Sequence, residues 1–354
     1  MEPKAVKSVD ESCPNCGAGM KYSPQRKMLF CESCETTRAI EFKKLMGKHN
    51  LNEATKATKN TIEWASQTKS LKCPNCGAGV VLNKLEYSKK CPYCSSSLVA
   101  REAAADDLAP DGIIPFTFSD EEASVKYVQG IKKKFFAPSK FKKAPPTENI
   151  KGVYIPCFCY DAKTASLYSG TLAKDYNYTD SSGKRKTRTE TKRISGKHDE
   201  DIVDVVVETS SKMNQKQIND ILPFNMMDVV EFKQAFIMGY TVEHYENTIK
   251  VCNEIAKNIM KEQIKNNILS KYDYDRVLSF NLETSYSDEK YAYYLLPTYK
   301  CDYVYKNKTY TTFMNGQTGK VGKGFPISPL KVTFVVLLSI LLVAGFIALA
   351  YFMG

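Results

Sequence analysis

Histidine is nearly missing from this chain, with three in 354 residues. None of the three falls in a pattern that builds a metal-dependent or acid–base centre. His49 lies in a polar stretch, His198 beside a basic hairpin and His244 at an expected helix start, and each reads as an ordinary surface residue. Catalytic motifs are missing too: no H-E-x-x-H and no G-x-S-x-G occurs. No G-x-x-x-x-G-K-[ST] loop exists, since Gly316-Gln-Thr-Gly-Lys320 lacks that spacing and a preceding buried strand, and reads as a turn. No signal-peptide pattern follows Met1-Glu2-Pro3-Lys4, which favours a reducing compartment and argues against a disulfide framework. These absences lead us to expect a protein that is not an enzyme.

Cysteine, in contrast, is organised. Cys13-Pro-Asn-Cys16 is followed after fourteen residues by Cys31-Glu-Ser-Cys34. Sixty residues on, Cys73-Pro-Asn-Cys76 is followed after the same gap by Cys91-Pro-Tyr-Cys94. Both first pairs continue Gly-Ala-Gly, so a small module is repeated. Four thiolates on two tight turns suit a tetrahedral structural Zn²⁺, and four sulfurs leave no open position for water or substrate. A thioredoxin-like site needs one C-x-x-C at a strand-to-helix junction, not paired pairs. The expectation is two β zinc ribbons, each too small to fold on apolar burial alone and dependent on metal binding of about 10–16 kcal/mol.

At the other end, residues 332–353 carry no charge and are rich in Val, Leu, Ile, Phe and Ala. As a helix they would reach about 33 Å, enough for a hydrocarbon core of about 30 Å. The stretch is apolar on every face, unlike a core helix with a polar stripe. It is read as a single-pass C-terminal tail anchor in the cell membrane. Lys320, Lys323 and Lys331 on its N-terminal flank place the bulk of the chain in the cytoplasm.

The net charge of +11 is concentrated in two segments. Residues 131–151 hold seven lysines against Glu148, and residues 184–197 hold seven cations against Glu190. Such runs are solvated faces, contacts to anionic lipid, or nucleic-acid contacts, and composition alone does not choose among them.

The expected organisation is α+β: a first ribbon at 10–43, a linker at 44–62 and a second ribbon at 63–100. An α+β domain follows at 113–322, then a tether at 323–331 and the membrane helix at 332–353. Ser119 and Glu122 form a capping-box pattern for a helix with Ala123, Tyr127, Val128 and Ile131 on one face. Strands are expected at 151–156, 157–172 and 201–208, with a hairpin tip at 180–183. Helices are expected over 228–240 and 243–271, and a meander over 291–314 turns at Lys306-Asn307-Lys308 and Asn315-Gly316. Cys157-Phe-Cys159 is one residue short of a metal knuckle and reads as core packing.

Several short stretches carry a resemblance. They are Ile113-Ile-Pro-Phe116, Phe135-Phe-Ala-Pro-Ser-Lys-Phe141, Lys151-Gly-Val-Tyr-Ile-Pro156, Ser210-Ser-Lys-Met213, the run 235–240, and Phe313-Met-Asn-Gly-Gln-Thr-Gly-Lys320. With the second ribbon and the apolar tail, they resemble bacterial membrane proteins bearing transcription factor IIB-type zinc ribbons, often labelled primosomal or helicase-like. Family members usually carry Trp where this chain has Cys157-Phe-Cys159 and Thr298-Tyr299, and many have longer membrane regions. The resemblance implies a scaffold that recruits flotillin-like (SPFH) or phage-shock-protein-A-like partners in envelope stress. The competing expectation is a membrane-tethered nucleic-acid-binding protein, with ribbons and basic hairpin on phosphates.

Overall fold

Three strands much longer than expected carry the fold: Ile150–Thr179, Arg185–Glu208 and Arg276–Tyr305, of 30, 24 and 30 residues. The computed structural model describes residues 12–45, 47–53, 68–83, 88–91, 93–94, 96–99, 108–210 and 212–352. Expectations for the lead into the second cysteine module, for residues 54–62 and for 102–107 lie outside that set. The expected strands 151–156 and 157–172 part after Pro156, and those at 291–296 and 300–305 part around Pro297; proline gives a ladder no donor. The chain runs extended through both, and each still serves as an acceptor. Thr209 N donates to Pro156 O at 3.3 Å, and Gly316 N to Pro297 O at 2.8 Å.

The hairpin at 180–183 forms as expected. Asp180 Oδ1 accepts from the backbone N–H of Ser182 and of Lys184, each at 3.0 Å, and Gly183 sits at φ +79°. The later turn needs no glycine: Lys306 and Asn307 both take positive φ, +50° and +60°. That is the geometry of a two-residue hairpin loop between Arg276–Tyr305 and Lys308–Asn315.

The chain divides into two compact units. The first comprises Met1–Tyr160, Val206–Asn253 and Lys290–Pro326. Most of its strands belong to a ten-stranded mixed sheet whose main path runs Val230–Glu231, Gly112–Ile113, Arg276–Tyr305, Ile150–Thr179, Thr241–Glu243, Gly79–Asn83, Thr68–Lys72. Two of these pairings are parallel, Gly112–Ile113 on Arg276–Tyr305 and Thr241–Glu243 on Ile150–Thr179. His49–Asn50 adds a short strand at Lys290 and Tyr291, inside the stretch expected to be a linker. His49 is tied down as well, its Nε2 2.7 Å from Asp111 Oδ1, and that neighbour raises its pKa.

The core of this unit includes Ile114, Ile155, Leu296 and Phe313 together with Cys157 and Cys159, both fully buried. As the two cysteines lie two apart on a strand they share one face, and their role is packing, as read from the spacing. The helix Asp120–Lys133 starts with the expected capping box: Ser119 Oγ accepts from Glu122 N, and Glu122 Oε2 accepts from Ser119 N at 2.9 Å. Ala123, Tyr127 and Ile131 are its buried face. A second capping box, Asn214 with Gln217, starts the helix Gln215–Ile221.

The helix expected at 228–240 is not there. That stretch holds the strand Val230–Glu231 and a short 3₁₀ turn Gln234–Ile237. Its apolar residues Val230, Ala235, Phe236 and Ile237 are buried without forming an α-helix. Pairing of Val230 with Ile113, and the cover that Phe236 receives from Tyr22 and Phe42, override the local propensity.

The second unit comprises Asp161–Val205, Glu254–Glu289 and Ile327–Gly354. Leu172, Ile194 and Leu269 form its apolar centre, flanked by Tyr168, Tyr272 and Phe280. His198 is not the plain surface residue expected. Its side chain is only 13% exposed, lying 3.2 Å from Glu200 Oε2 and 2.9 Å from Lys271 Nζ. Arg185, Lys186, Arg188, Lys192 and Arg193 are exposed on one arm of the hairpin. The helix Pro329–Phe352, 24 residues, is long and apolar enough to cross a membrane, and none of its apolar window is buried. The architecture is thus mixed α+β with two four-cysteine clusters near the N-terminus and an apolar C-terminal helix.

Two buried carboxyls in the first unit set a pH dependence. Burial pushes Glu208 up to about 8 and, against the opposing charge of Lys300, Glu243 up to about 8 as well. Unfolded, both would titrate near about 4.3, so between these values the folded state holds the extra protons and loses stability as pH rises. The slope reaches about 1.4 kcal/mol per pH unit for each group. Denaturant midpoints should therefore fall between about pH 5 and 8 less steeply in Glu243→Gln than in the parent. Equal slopes would show that Glu243 does not titrate in this window.

Candidate metal centres

The first C-x-x-C turn of each module is built by two backbone hydrogen bonds. In the first module, Gly17 N donates to Cys13 O at 2.9 Å and Cys13 N to Ala18 O at 2.7 Å. In the second, Gly77 N donates to Cys73 O at 2.8 Å and Cys73 N to Ala78 O at 2.7 Å. Gly17 and Gly77 both sit at φ +73°, a conformation an L side chain would strain. The second pairs close in the same way, with Cys31 N on Thr36 O and Cys91 N on Ser96 O, each at 2.9 Å.

These turns bring the sulfurs together in fours. Cys13, Cys16, Cys31 and Cys34 form one group and Cys73, Cys76, Cys91 and Cys94 the other, all sulfurs of a group lying within 4.8 Å of one another. Cys13–Cys34 and Cys16–Cys31 are 3.5 Å apart, Cys73–Cys94 and Cys76–Cys91 3.6 Å. A disulfide would need about 2.05 Å. A tetrahedral ion bonded to sulfur at about 2.3 Å sets the sulfurs about 3.8 Å apart, close to what is seen. Both groups are able to hold a metal ion.

The fourth cysteine of each module carries an added feature that the spacing does not announce. Thr36 Oγ1 lies 3.1 Å from Cys34 Sγ, and Ser96 Oγ 2.9 Å from Cys94 Sγ. Hydrogen bonding from Thr36 brings the Cys34 thiol down to about 6, and from Ser96 the Cys94 thiol down to about 5. A hydroxyl two residues past the last cysteine thus favours the thiolate that binds metal. Thr36 and Ser96 are visible in the sequence only once the repeat is aligned.

The repeated modules are attached differently to the same unit. The first has its own three-stranded sheet, Lys21–Ser23, Met28–Phe30 and Thr37–Ala39. It leans on residues 230–239: Tyr22 N donates to Met238 O at 2.9 Å, Tyr22 packs edge-on to Phe236, and Lys43 pairs with Glu231 at 2.7 Å. The second contributes Thr68–Lys72 and Gly79–Asn83 to the ten-stranded sheet, with Val80 and Val81 opposite Glu243 and Val242. Its strands Ser88–Lys90 and Ser97–Val99 pair separately. Lys300, 4% exposed and paired with Asp302, holds its ammonium 4.0 Å from the Tyr93 ring centroid. Lys212 donates to Cys76 O.

The Phe313–Lys320 stretch has a structural job. Asn315 is fully buried, and its Nδ2 donates to Ile221 O at 3.0 Å and Pro223 O at 3.1 Å. Its Oδ1 accepts from Gln317 N at 2.8 Å and Thr318 N at 2.9 Å. Every hydrogen-bonding position of the amide is used, so this loop clamps residues 221–223. Nearby, Phe116 stacks on Tyr240 at 4.2 Å and meets Tyr154 and Tyr299. A Cβ at Gly316 would come within 2.7 Å of Phe116, and one at Gly152 within 2.6 Å of Tyr240. Four of the stretches that carry the resemblance therefore meet in one aromatic core.

The fold and the grouped sulfurs define a mixed α+β protein with two four-cysteine clusters able to hold metal ions and an unburied apolar helix. No protein-family pattern matches the chain, and no solved structure matches it. It is similar to the uncharacterized protein YdjG of Bacillus subtilis (strain 168), 27% identical over 329 residues that cover 92% of each chain.

Proposed function

We propose that the protein is a non-enzymatic, membrane-anchored scaffold whose two four-cysteine clusters hold structural Zn²⁺ as zinc ribbons. Four soft sulfurs at these spacings favour zinc over hard cations, and four protein ligands make each site closed. The helix Pro329–Phe352 is the single span, with the bulk of the chain on the cytoplasmic side, where thiols stay reduced. The observation that carries the reading is the exposure of both knuckles. Each module is fixed to the same unit while Pro14-Asn15 and Pro74-Asn75 remain exposed, which offers two like, rigid turns to partner proteins. In keeping with the resemblance to membrane proteins with transcription factor IIB-type ribbons, the partner class we favour is flotillin-like (SPFH) or phage-shock-protein-A-like proteins in envelope stress.

The test is co-purification from detergent extracts of the full chain, read by mass spectrometry. Pro14→Arg and Pro74→Arg leave all eight cysteines in place. At least one of them should keep two bound metals yet lose partner recovery about tenfold, equivalent to about 1.4 kcal/mol. Full recovery with both variants refutes recruitment through the knuckles. The exposed cations of residues 184–197 favour the second reading, nucleic-acid binding, which a steep salt dependence of DNA or RNA retention would support.

A further inference from the structure

We propose that Phe135 and Phe136, with the lysines around them, form a contact that seats the first unit on an anionic lipid surface. The inference rests on the reading of Pro329–Phe352 as a membrane span and adds a second, peripheral attachment. The helix Asp120–Lys133 stops at Lys134, whose N–H turns back to Ile131 O. The next two residues leave the core: their rings meet edge to face at 5.2 Å and are 56% and 40% exposed. They do not ride on a loose loop. Ala137 is buried directly after them, and Phe141 in the following helix Ser139–Lys143 is buried and stacks on Tyr303 at 5.2 Å. An aromatic pair held in the open on a fixed corner marks a surface that something apolar covers.

What surrounds the pair selects lipid. Lys132, Lys133, Lys140 and Lys143 are exposed, and none has an ion-pair partner among the described residues. Glu148 is the one acid between residues 131 and 151. Position selects it as well. Lys134 Nζ donates to Val321 O at 2.8 Å and lies 5.8 Å from the Phe325 ring centroid, while a Cβ on Gly130 would fall 2.3 Å from Val321 Cγ2. Residues 321–325 therefore run along the same corner. Three residues lie between Phe325 and Pro329, where the apolar helix begins, so four steps along the chain reach about 14 Å at most. If that helix enters the bilayer, the corner lies within reach of the headgroups. There aromatic rings enter the apolar boundary and lysines meet anionic phosphates.

The experiment uses the full chain with Trp64→Phe and Phe135→Trp, so that one indole reports, and Phe136→Trp as a second reporter should the first variant misfold. It is reconstituted in vesicles of phosphatidylcholine alone or with phosphatidylglycerol, with and without brominated acyl chains. The expected result is a blue shift and a loss of indole emission to the brominated chains in anionic vesicles, smaller in neutral ones. Changing Lys132, Lys133, Lys140 and Lys143 to Glu should remove that difference, and quenching that survives the change overturns the electrostatic part. A chain that floats with the vesicles but is quenched in neither overturns the inference while leaving the span intact. A chain that does not float overturns the span, and the inference with it.

Discussion

Cys91→Ser is expected to unravel far more of the molecule than Cys31→Ser, although the two residues are equivalent in the repeat and both are fully buried. On the proposed zinc reading, each substitution removes one of four thiolates and with it much of a metal-binding free energy of about 10–16 kcal/mol. The difference lies in what each module supports. The first keeps a sheet of its own and touches the main sheet through side chains and the isolated bridge of Lys44 with Val230. The second supplies the last two strands of the ten-stranded path, and Val80 and Val81 cover the edge of Thr241–Glu243. Without them, that strand loses its ladder on one side and Glu243, 1% exposed, meets water.

Hydrogen exchange read by mass spectrometry separates the outcomes. In Cys91→Ser, protection should fall at residues 79–83 and 241–243 by roughly a thousandfold, about 4 kcal/mol of local stability. In Cys31→Ser the loss should stay within residues 12–45 and the ledge at 236–239 that they cover. If both variants lose protection in their own cysteine modules and nowhere else, the second module is an appendage and the topology carries no such coupling.

The candidate centres were legible because their chemistry is local. Two residues between cysteines fix a knuckle, and glycine after the first pair of each module marks the positive φ that the knuckle requires. The capping box at Ser119 and the turns at residues 180–183 and 306–307 were legible for the same reason, each being decided within four residues. The long strands were not. Pro156 and Pro297 punctuate a sequence as breaks, and only the partners Thr209 and Gly316, distant along the chain, show that the extended backbone continues. The stretch around Phe236 failed in the same way: its apolar residues fit a helix until the first module, two hundred residues earlier, is seen to cover them. Asn315 shows the limit from another side. Asn-Gly announces a turn, but the clamp on residues 221–223 depends on carbonyls that no local pattern can place.

Two arginines placed in the middle of the apolar helix, Leu341→Arg with Val343→Arg, are expected to release the chain from membranes. The helix is 24 residues long, about 36 Å, against an apolar thickness of about 30 Å. Neither residue is covered by protein, with Leu341 68% and Val343 59% exposed. The one hydroxyl near its middle, Ser339, donates back along the helix to Val335 O at 2.8 Å, so its O–H donor is satisfied within the helix. An arginine at the centre of a span costs about 2.5–3.5 kcal/mol, so two cost about 5–7 kcal/mol, roughly four powers of ten in the insertion equilibrium. Flotation and alkaline extraction would show the parent with the lipid and the double variant in the supernatant. Were the segment instead a core helix waiting for a protein partner, the parent itself would leave the membrane fraction under alkaline extraction. Retention of the double variant would mean that something other than this helix holds the protein to the bilayer.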